Sequence, residues 1–178
     1  MYTTITKFKI PSILEDILKD LQKIGATPIL VGGCVRDYFL NIPVKDYDVE
    51  IFGIDCIQTI EKSLQKFGSV KLVGKSFGVL TLRVNKYDFD FALPRTETKI
   101  GLSHQDFEVI TNASLSFKEA AIRRDFTINA IGYDFFKEEF IDPFDGIEDL
   151  RTKTIKHIND KTFIEDSLRV YRAVAFAS

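Results

Sequence analysis

Residues 29–52 read ILVGGCVRDYFLNIPVKDYDVEIF, and this stretch decides the fold. The apolar run at 28–31 ends at two adjacent glycines, which predicts a buried strand that turns directly into a helix at 35–40. A proline at the end of 41–43 breaks that helix. Residues 46–52 then alternate polar and apolar side chains, which predicts a strand with one face toward solvent.

The elements on both sides extend this pattern. The spacing of apolar residues predicts helices at 12–24 and 56–67, each followed by a glycine. Short runs rich in β-branched and aromatic residues predict strands at 70–73, 79–84 and 87–93. Together these elements indicate a small α/β or α+β sheet domain.

The pattern becomes less regular after residue 94. A polar loop is predicted at 95–106 and a turn at 142–146. Two pairs with capping-box spacing, Ser116 with Glu119 and Thr162 with Glu165, predict helices at 117–131 and from 163 onward.

A change of pattern near residue 140 predicts two parts, 1–139 and 140–178. The last predicted helix still shows its periodicity at Ser178 and has no cap. We therefore expect the sequence to be the amino-terminal part of a longer protein.

Composition excludes several classes of protein. The 178 residues include 24 Lys plus Arg against 26 Asp plus Glu, a net charge of −2, so bulk positive charge cannot hold nucleic acid, although a local basic site is possible. The two cysteines and two histidines have no metal-ligand spacing. Without an apolar run of ~20 residues or a signal-peptide pattern, we expect a cytoplasmic protein that contacts no membrane.

Two pairs of acidic residues are candidates for metal chemistry. Asp46 and Asp48 are two apart in a predicted strand, so their carboxylates leave the same face, and Asp88 and Asp90 repeat this spacing. If the two strands are neighbours, three or four carboxylates converge, which suits Mg²⁺ and a nucleotide. The alternative is that both pairs are ordinary solvated strand faces.

The turn before the first acidic pair is a candidate phosphate site. Gly32 and Gly33 allow close approach of the backbone to an anion, and free amides at the following helix start favour phosphate. Arg36 can reach a phosphate with two hydrogen bonds. The alternatives are a simple tight turn and an Arg36 that pairs with Asp37.

Five motifs in this order resemble one family. They are LVGGCVRD at 30–37, KDYD at 45–48, RRDFTINA at 123–130, IDPFDG at 141–146 and EDSLRVYR at 165–172. The sequence is similar to the tRNA nucleotidyltransferases (CCA-adding enzymes) and bacterial poly(A) polymerases of the polymerase-beta-like superfamily. Residues 92–101 and 129–134 resemble the CCA-adding branch.

The resemblance implies an α+β fold, a nucleotidyltransferase head with a small mixed sheet flanked by helices, followed by an α-helical neck. Residues 1–139 would be the catalytic head and 140–178 the beginning of the neck. The regions that bind the tRNA 3′ end would lie mainly after residue 178. No protein partner is indicated.

The resemblance also implies site residues. Asp46 and Asp48 match metal ligands, and Asp90 matches a third active-site carboxylate, with Asp88 as the local competitor. Gly33, Arg36 and Arg124 match positions that contact the incoming nucleotide, and Arg124 is the better-placed member of its arginine pair.

The family's amino-acid template is matched by Asp166 and Arg169. On one helix, three apart, they would present an acceptor beside donors, which complements the Watson–Crick edges of cytosine and adenine. The alternative is an ordinary surface ion pair. Arg172 matches another nucleotide contact. Ala175 and Ser167 depart from the family, which commonly has arginine and proline there, and leave the addition specificity open.

The reaction implied is attack of a tRNA 3′-hydroxyl on the α-phosphate of CTP or ATP with release of pyrophosphate, assisted by two Mg²⁺ ions. Asp90 is expected to help take the proton. The alternatives are a poly(A) polymerase, an enzyme that adds only CC or only A, and a catalytically silent nucleotide-binding module.

Overall fold

The computed structural model describes residues 8–73, 78–101 and 107–177. The first half of the chain forms the elements that the pattern predicts, in the predicted order. They are α1 (Ser12–Lys23), β1 (Thr27–Val31), α2 (Gly33–Phe39), β2 (Asp46–Phe52), α3 (Ile57–Leu64), β3 (Val70–Val73), β4 (Val79–Val84) and β5 (Tyr87–Ala92).

The second half is built from shorter elements. They are β6 (Arg95–Lys99), β7 (Phe107–Thr111), α4 (Phe117–Ala121), a 3₁₀ turn (Thr127–Asn129), β8 (Gly132–Asp134), β9 (Glu139–Ile141), α5 (Gly146–Arg151), α6 (Asp160–Glu165) and α7 (Leu168–Ala177). Among these described elements, no helix has the length and apolar character needed to span a bilayer.

Seven strands form one mixed sheet in the order β3-β4-β5-β2-β1-β8-β9, and β6 and β7 form a separate hairpin. Strands β2 and β5 are parallel, and each of the other neighbouring pairs is antiparallel. This arrangement confirms the expected small mixed sheet flanked by helices.

The two faces of the sheet differ in character. On one face, buried residues of α1 and α3 such as Leu18 and Leu64 pack against Val49 of β2 and Phe91 of β5. The opposite face carries Asp46, Asp48 and Glu50 at alternate positions of β2, and a small apolar cluster lies farther along, beneath α4. The core therefore fixes the strand that presents the carboxylates.

The predicted helix at 117–131 is wrong beyond its first turn. The capping box forms as predicted, with the Ser116 hydroxyl accepting from the Glu119 amide, but α4 ends at Ala121. The Asp125 carboxylate then accepts from the Phe126 amide and turns the chain. Residues 127–129 form a 3₁₀ turn instead, and the chain then enters β8, which pairs with β1 on one side and β9 on the other.

The predicted loop at 95–106 is a strand in its first part. Residues 95–99 pair with 107–111, and Arg95 and Glu97 alternate with exposed Thr96 and Thr98. The buried side of this strand is charged rather than apolar, so a hydrophobic pattern does not reveal it. His104 lies outside the described residues.

The predicted helix from 163 to the end is two helices. Asn159, rather than Thr162, caps α6, and its side chain accepts from the Lys161 and Thr162 amides. Asp166 has extended backbone angles (φ −128°, ψ 103°) and separates α6 from α7. Its carboxylate accepts from the Leu168 amide, which satisfies the start of α7 locally and breaks the helix.

Candidate active site

Carboxylates from two neighbouring strands meet on one face of the sheet. In the parallel pair of β2 and β5, Asp46 lies beside Asp88 and Asp48 lies beside Asp90. All four residues line a cavity of about 720 Å³. The two strands are therefore neighbours and their carboxylates converge as expected, on a face where Asp46 and Asp48 are exposed.

The two aspartates of β5 have different partners. Arg83 of β4 donates two hydrogen bonds to the Asp88 carboxylate, through Nε and Nη2. The Asp90 carboxylate accepts a hydrogen bond of 2.6 Å from the Thr81 hydroxyl. Asp88 is thus neutralised by a cation, whereas Asp90 lies beside Asp48 with a neutral partner. This difference favours Asp90 over Asp88 as the third carboxylate.

Asp48 is exposed to the cavity, but the groups around its carboxylate disfavour its charge. Loss of hydration beside the surrounding protein raises the pKa of Asp48 above its ordinary value, Arg124 opposes the rise, and the Asp90 and Asp46 carboxylates add to it. A cation bound beside Asp48 would stabilise its negative charge against both the loss of hydration and the repulsion from Asp90 and Asp46.

The donor set fits magnesium that is shared with a substrate. Within the described ranges, no group of three or more His, Cys, Asp or Glu side chains is placed to hold a metal ion. Mg²⁺ usually takes one or two carboxylates and completes its shell with water and substrate phosphates. Asp46, Asp48 and Asp90 supply oxygen ligands of that kind.

Gly32 brings the backbone close to these carboxylates. Its φ of +73° is in the left-handed region, and a Cβ there would lie 3.2 Å from Asp48 Oδ2 and 3.3 Å from Arg124 Nη1. The turn thus requires glycine and places Asp48 and Arg124 on either side of it. At the next residue, a Cβ on Gly33 would lie 3.6 Å from Arg36 Nη2.

A buried ion network, which the sequence did not predict, holds the Arg123–Arg124 pair. Glu50 accepts a hydrogen bond of 2.9 Å from Arg123 and one of 3.4 Å from Arg124. Arg123 also pairs with Glu97, which in turn accepts from Arg95. Glu50 continues the alternation of Asp46 and Asp48 along β2. This two-residue period is the sequence signal that could have placed Glu50 on the same face as the two aspartates.

Arg124 lies in a partly buried position that also borders a cavity. Burial lowers its pKa from the ordinary value, and the Glu50 and Asp48 carboxylates oppose that shift. The Nε atoms of Arg123 and Arg124 are buried and have no hydrogen-bond partner among the described residues. Both arginines line a cavity of about 210 Å³ together with Asp48 and Asp90. The two arginines that line this cavity therefore each carry one buried donor without a partner among the described residues.

Arg36 and Arg172 belong to one connected network. Arg36 donates to Asp37, as the alternative interpretation held, and also to the side-chain oxygen of Asn129. Asn129 donates to Asp125, and the same carboxylate accepts from Arg172 at 2.6 Å. The ring of Phe176 lies against both guanidinium groups, 4.9 Å from Arg36 and 5.3 Å from Arg172.

Asp166 and Arg169 do not form the pair that the helical spacing predicts, and this expectation is wrong as a statement of geometry. Asp166 lies between α6 and α7 and caps α7, so the two side chains do not share one helix face. The buried Arg169 guanidinium donates to the backbone carbonyls of Arg123, at 2.7 Å, and Arg124, at 3.4 Å. Because every residue has a backbone carbonyl, a sequence pattern cannot indicate which carbonyls Arg169 binds.

Comparison with known proteins gives the family. Residues 29–156 match the family described as the poly A polymerase head domain, which is more than half of the chain. The chain belongs to this family. The matched range contains the four aspartates, both glycines, Arg36 and Arg124, whereas Asp166, Arg169 and Arg172 lie beyond it.

Curated relatives of this head domain carry related names. The chain is 41% identical over 149 residues to the multifunctional CCA protein of Mannheimia succiniciproducens. It is 40% identical over 149 residues to a CCA-adding enzyme of Buchnera aphidicola. Each match covers 84% of this chain but only 33% and 34% of the relative, so the chain spans about a third of their length.

Solved structures share the fold of this head domain and of the helices that follow. The Bacillus stearothermophilus CCA-adding enzyme in complex with CTP superposes with a TM-score of 0.74 at 28% identity, over 95% of this chain and 40% of that one. A tRNA nucleotidyltransferase complexed with a primer tRNA and an incoming ATP analog gives 0.71 at 30% identity, over 90% and 44%. These structures confirm the expected polymerase-type head.

Proposed function

We propose that this chain carries the catalytic part of a template-independent nucleotidyltransferase that adds C and A to the 3′ end of tRNA from CTP and ATP. The observation that carries the proposal is the placement of Asp46, Asp48 and Asp90 side by side, next to Gly32 and Arg124. The names of the relatives and the nucleotides in the similar structures support it.

Asp46 and Asp48 are the proposed metal ligands, with Asp90 as the third carboxylate. When bound there, Mg²⁺ would lower the pKa of the attacking 3′-hydroxyl and offset charge on the leaving pyrophosphate. Asp90 orients the hydroxyl and accepts its proton. Asp88 is left out of this set because Arg83 neutralises it.

The triphosphate is proposed to lie at the turn after β1. Gly32 and Gly33 leave space for it, and Arg36 and Arg124 supply positive charge. The position of Arg124 supports this assignment, because a Cβ on Gly32 would lie 3.3 Å from Arg124 Nη1, so the guanidinium lies at the turn.

Asp166, Arg169 and Arg172 are proposed to read the nucleotide. In the arrangement described above, Arg169 is bound to carbonyls and Arg172 to Asp125. Base recognition therefore requires these arginines to exchange protein partners for the nucleotide. Ser167 and Ala175 remain departures from the family pattern in this segment.

We further propose the division into a head at 1–139 and the start of a neck at 140–178. The described chain is helical after β9 (Glu139–Ile141), the last strand of the sheet, which supports a division near this point. Strand β9 itself pairs with β8 and stays with the head, although the proposed boundary falls within it. Contacts with the tRNA 3′ end are proposed to come mainly from regions after residue 178, and the site of action is proposed to be the cytoplasm.

The test is incorporation of radiolabelled CTP, ATP, GTP and UTP onto tRNA that lacks its 3′ CCA, with Mg²⁺ and with EDTA. It uses this chain, a version extended past residue 178, and Asp48→Ala in both. We expect metal-dependent use of CTP and ATP only, and no incorporation by the variant, which retains the circular dichroism of the parent.

Other outcomes identify the alternatives. Incorporation of ATP without CTP would indicate a poly(A) polymerase or an A-adding enzyme, and CTP alone would indicate CC addition. Binding of CTP without incorporation by either version would indicate a silent nucleotide-binding module. Full activity of Asp48→Ala would overturn the metal assignment.

A further inference from the structure

The large cavity has a basic side that the proposed chemistry has not used. Its lining includes the four aspartates of β2 and β5, and also Lys71 of β3 and Arg83 of β4. Both basic side chains are exposed. One cavity therefore joins the carboxylates to two cations on the strands at the β3 edge of the sheet.

The strand register places these groups in two rows across the sheet. One row runs through Asp48, Asp90, Thr81 and Lys71, and the other through Asp46, Asp88 and Arg83. Because strands are about 4.8 Å apart, Lys71 lies roughly 14 Å from Asp48 along its row, before its own side chain is extended. Lys71 therefore lies beyond the reacting centre itself, where the RNA strand that precedes the 3′ end can pass.

The direction of the reaction distinguishes the two ends of the rows. In an in-line displacement, a bond forms from the 3′-oxygen to the α-phosphorus while the bond to pyrophosphate breaks on the opposite side, and the hydroxyl loses its proton. Gly32 and Arg36 of the proposed triphosphate site follow β1 directly, in the turn and in α2, on the β1 side of the carboxylates. We therefore place the attacking hydroxyl on the side of β5 and β4.

We propose that Lys71 and Arg83 bind phosphodiester groups of the RNA strand whose 3′-hydroxyl attacks. This inference rests on the proposed function and adds to it a contact of this chain with the end of its RNA substrate. Phosphate binding by these residues is independent of base sequence, which suits a strand whose last nucleotide changes with each addition.

Arg83 can bind a phosphate without leaving Asp88. Its side chain is 75% exposed, so a phosphate can reach it from solvent. The ion pair with Asp88 uses Nε and Nη2, and a guanidinium has five N–H donors, so further donors remain for a phosphodiester oxygen. Asp88 thus orients Arg83 in the cavity.

The test compares Lys71→Ala and Arg83→Ala with matched controls in steady-state CTP addition to tRNA that lacks CCA, using the version extended past residue 178. Lys62→Ala is the lysine control, since Lys62 is exposed on α3, which packs against the other face of the sheet. Arg151→Ala is the arginine control, since Arg151 is 73% exposed and paired bidentately with Glu148.

We expect each cavity variant to raise KM for tRNA about tenfold, the loss of one charged phosphate contact, with KM for CTP unchanged. The logarithmic salt dependence of tRNA binding, measured by fluorescence anisotropy, should fall in slope by roughly 0.7 for each residue removed. Both controls should match the parent protein. Circular dichroism and thermal melts verify that all four variants are folded.

Two results would overturn the inference while leaving the proposed function intact. One is an unchanged KM for tRNA in both cavity variants. The other is a raised KM for CTP instead, which would assign the basic side of the cavity to the triphosphate. The proposed function fails separately, and the inference with it, if the parent protein incorporates no nucleotide.

Discussion

Two aspartates that are two residues apart on the same strand differ in what they can do. Asp88 is neutralised by Arg83, whereas Asp90 accepts one neutral hydrogen bond and lies beside Asp48. We predict that Asp90→Asn lowers kcat for CTP addition by at least about 100-fold. Asp88→Asn should stay within about fivefold, since an exposed ion pair contributes at most ~1 kcal/mol.

The paired substitutions control for each other, because both remove one negative charge from the same strand and keep the side-chain shape. Asp88→Asn also releases Arg83, so KM for tRNA should not rise in that variant. A loss of kcat in Asp88→Asn equal to that in Asp90→Asn would show that Asp88 belongs to the catalytic set.

The two cysteines also differ by environment. Cys34 is buried in the core, and burial raises the pKa of its thiol to about 12. Cys56 is exposed, and hydrogen bonds from Thr59 lower the pKa of its thiol. Because the thiolate is the reactive form, a thiol reagent at pH 8 should modify one cysteine in the folded protein and two after denaturation. Cys56→Ser should abolish the native reaction, and labelling of Cys34 in that variant would contradict the burial argument.

At the scale of the element, α4 depends on its capping box. The Ser116 hydroxyl accepts from the Glu119 amide, and the Glu119 carboxylate accepts from the Ser116 amide. Ser116→Ala should lower the free energy of unfolding in urea by about 1 kcal/mol. Ser114→Ala, two residues earlier in the same loop, leaves the cap in place and should have a smaller effect.

The pH dependence of this effect has a defined sign. Hydrogen bonds from Ser116 lower the pKa of Glu119 below its ordinary value of 4.5. The contribution of this carboxylate is therefore present above pH 4.5 and lost as the pH falls through the lower, folded-state pKa. The difference between the parent and Ser116→Ala should shrink on acidification, and a difference that grows would contradict the capping account.

The elements that the sequence predicted are those with local causes. The capping box of Ser116 and Glu119 and the alternation of β2 each depend on neighbours in the chain, and both predictions were confirmed. The missed elements depend on distant partners. Strand β6 forms by pairing with β7, and its less exposed side is charged. The helix that begins at α4 stops at Ala121, and the chain continues to β8, which pairs with β1. Local propensity is overridden where tertiary pairing stabilises another conformation.

The candidate site divides in the same way. The pairs Asp46–Asp48 and Asp88–Asp90 follow from a two-residue period, and the register of β2 and β5 confirmed their convergence. The choice of Asp90 as the third carboxylate came from the family resemblance. Arg124 came from the family resemblance, since no local pattern marks a buried arginine. The break at Asp166 was missed, because a side chain that caps the next helix looks, in sequence, like one more helical residue.

At the scale of the whole molecule, α7 is held to the sheet domain through the groups that bind the nucleotide in our proposal. Arg36 reaches Arg172 through Asn129 and Asp125, and Phe176 packs between the two arginines. Phe176 also contacts Phe126 edge to face, with ring centroids 5.8 Å apart. A change at Phe176 should therefore act on the docking of α7 rather than on the sheet.

We predict that Phe176→Ala loosens α7 without unfolding the sheet. The ring is half-buried and contributes about 1–2 kcal/mol through its apolar area and its contacts with the two guanidinium groups. Hydrogen exchange of the α7 amides should accelerate about 5- to 30-fold, the factor that corresponds to this energy, while exchange in α1 and β2 stays unchanged. Val174→Ala is the control, since Val174 is 66% exposed on the same helix. Equal acceleration in both variants would mean that α7 is held by its own helical propensity. Acceleration in β2 would mean that Phe176 supports the core. Acceleration of α7 in Phe176→Ala alone would mean that the proposed nucleotide-binding arginines, packed on Phe176, link α7 to the sheet domain.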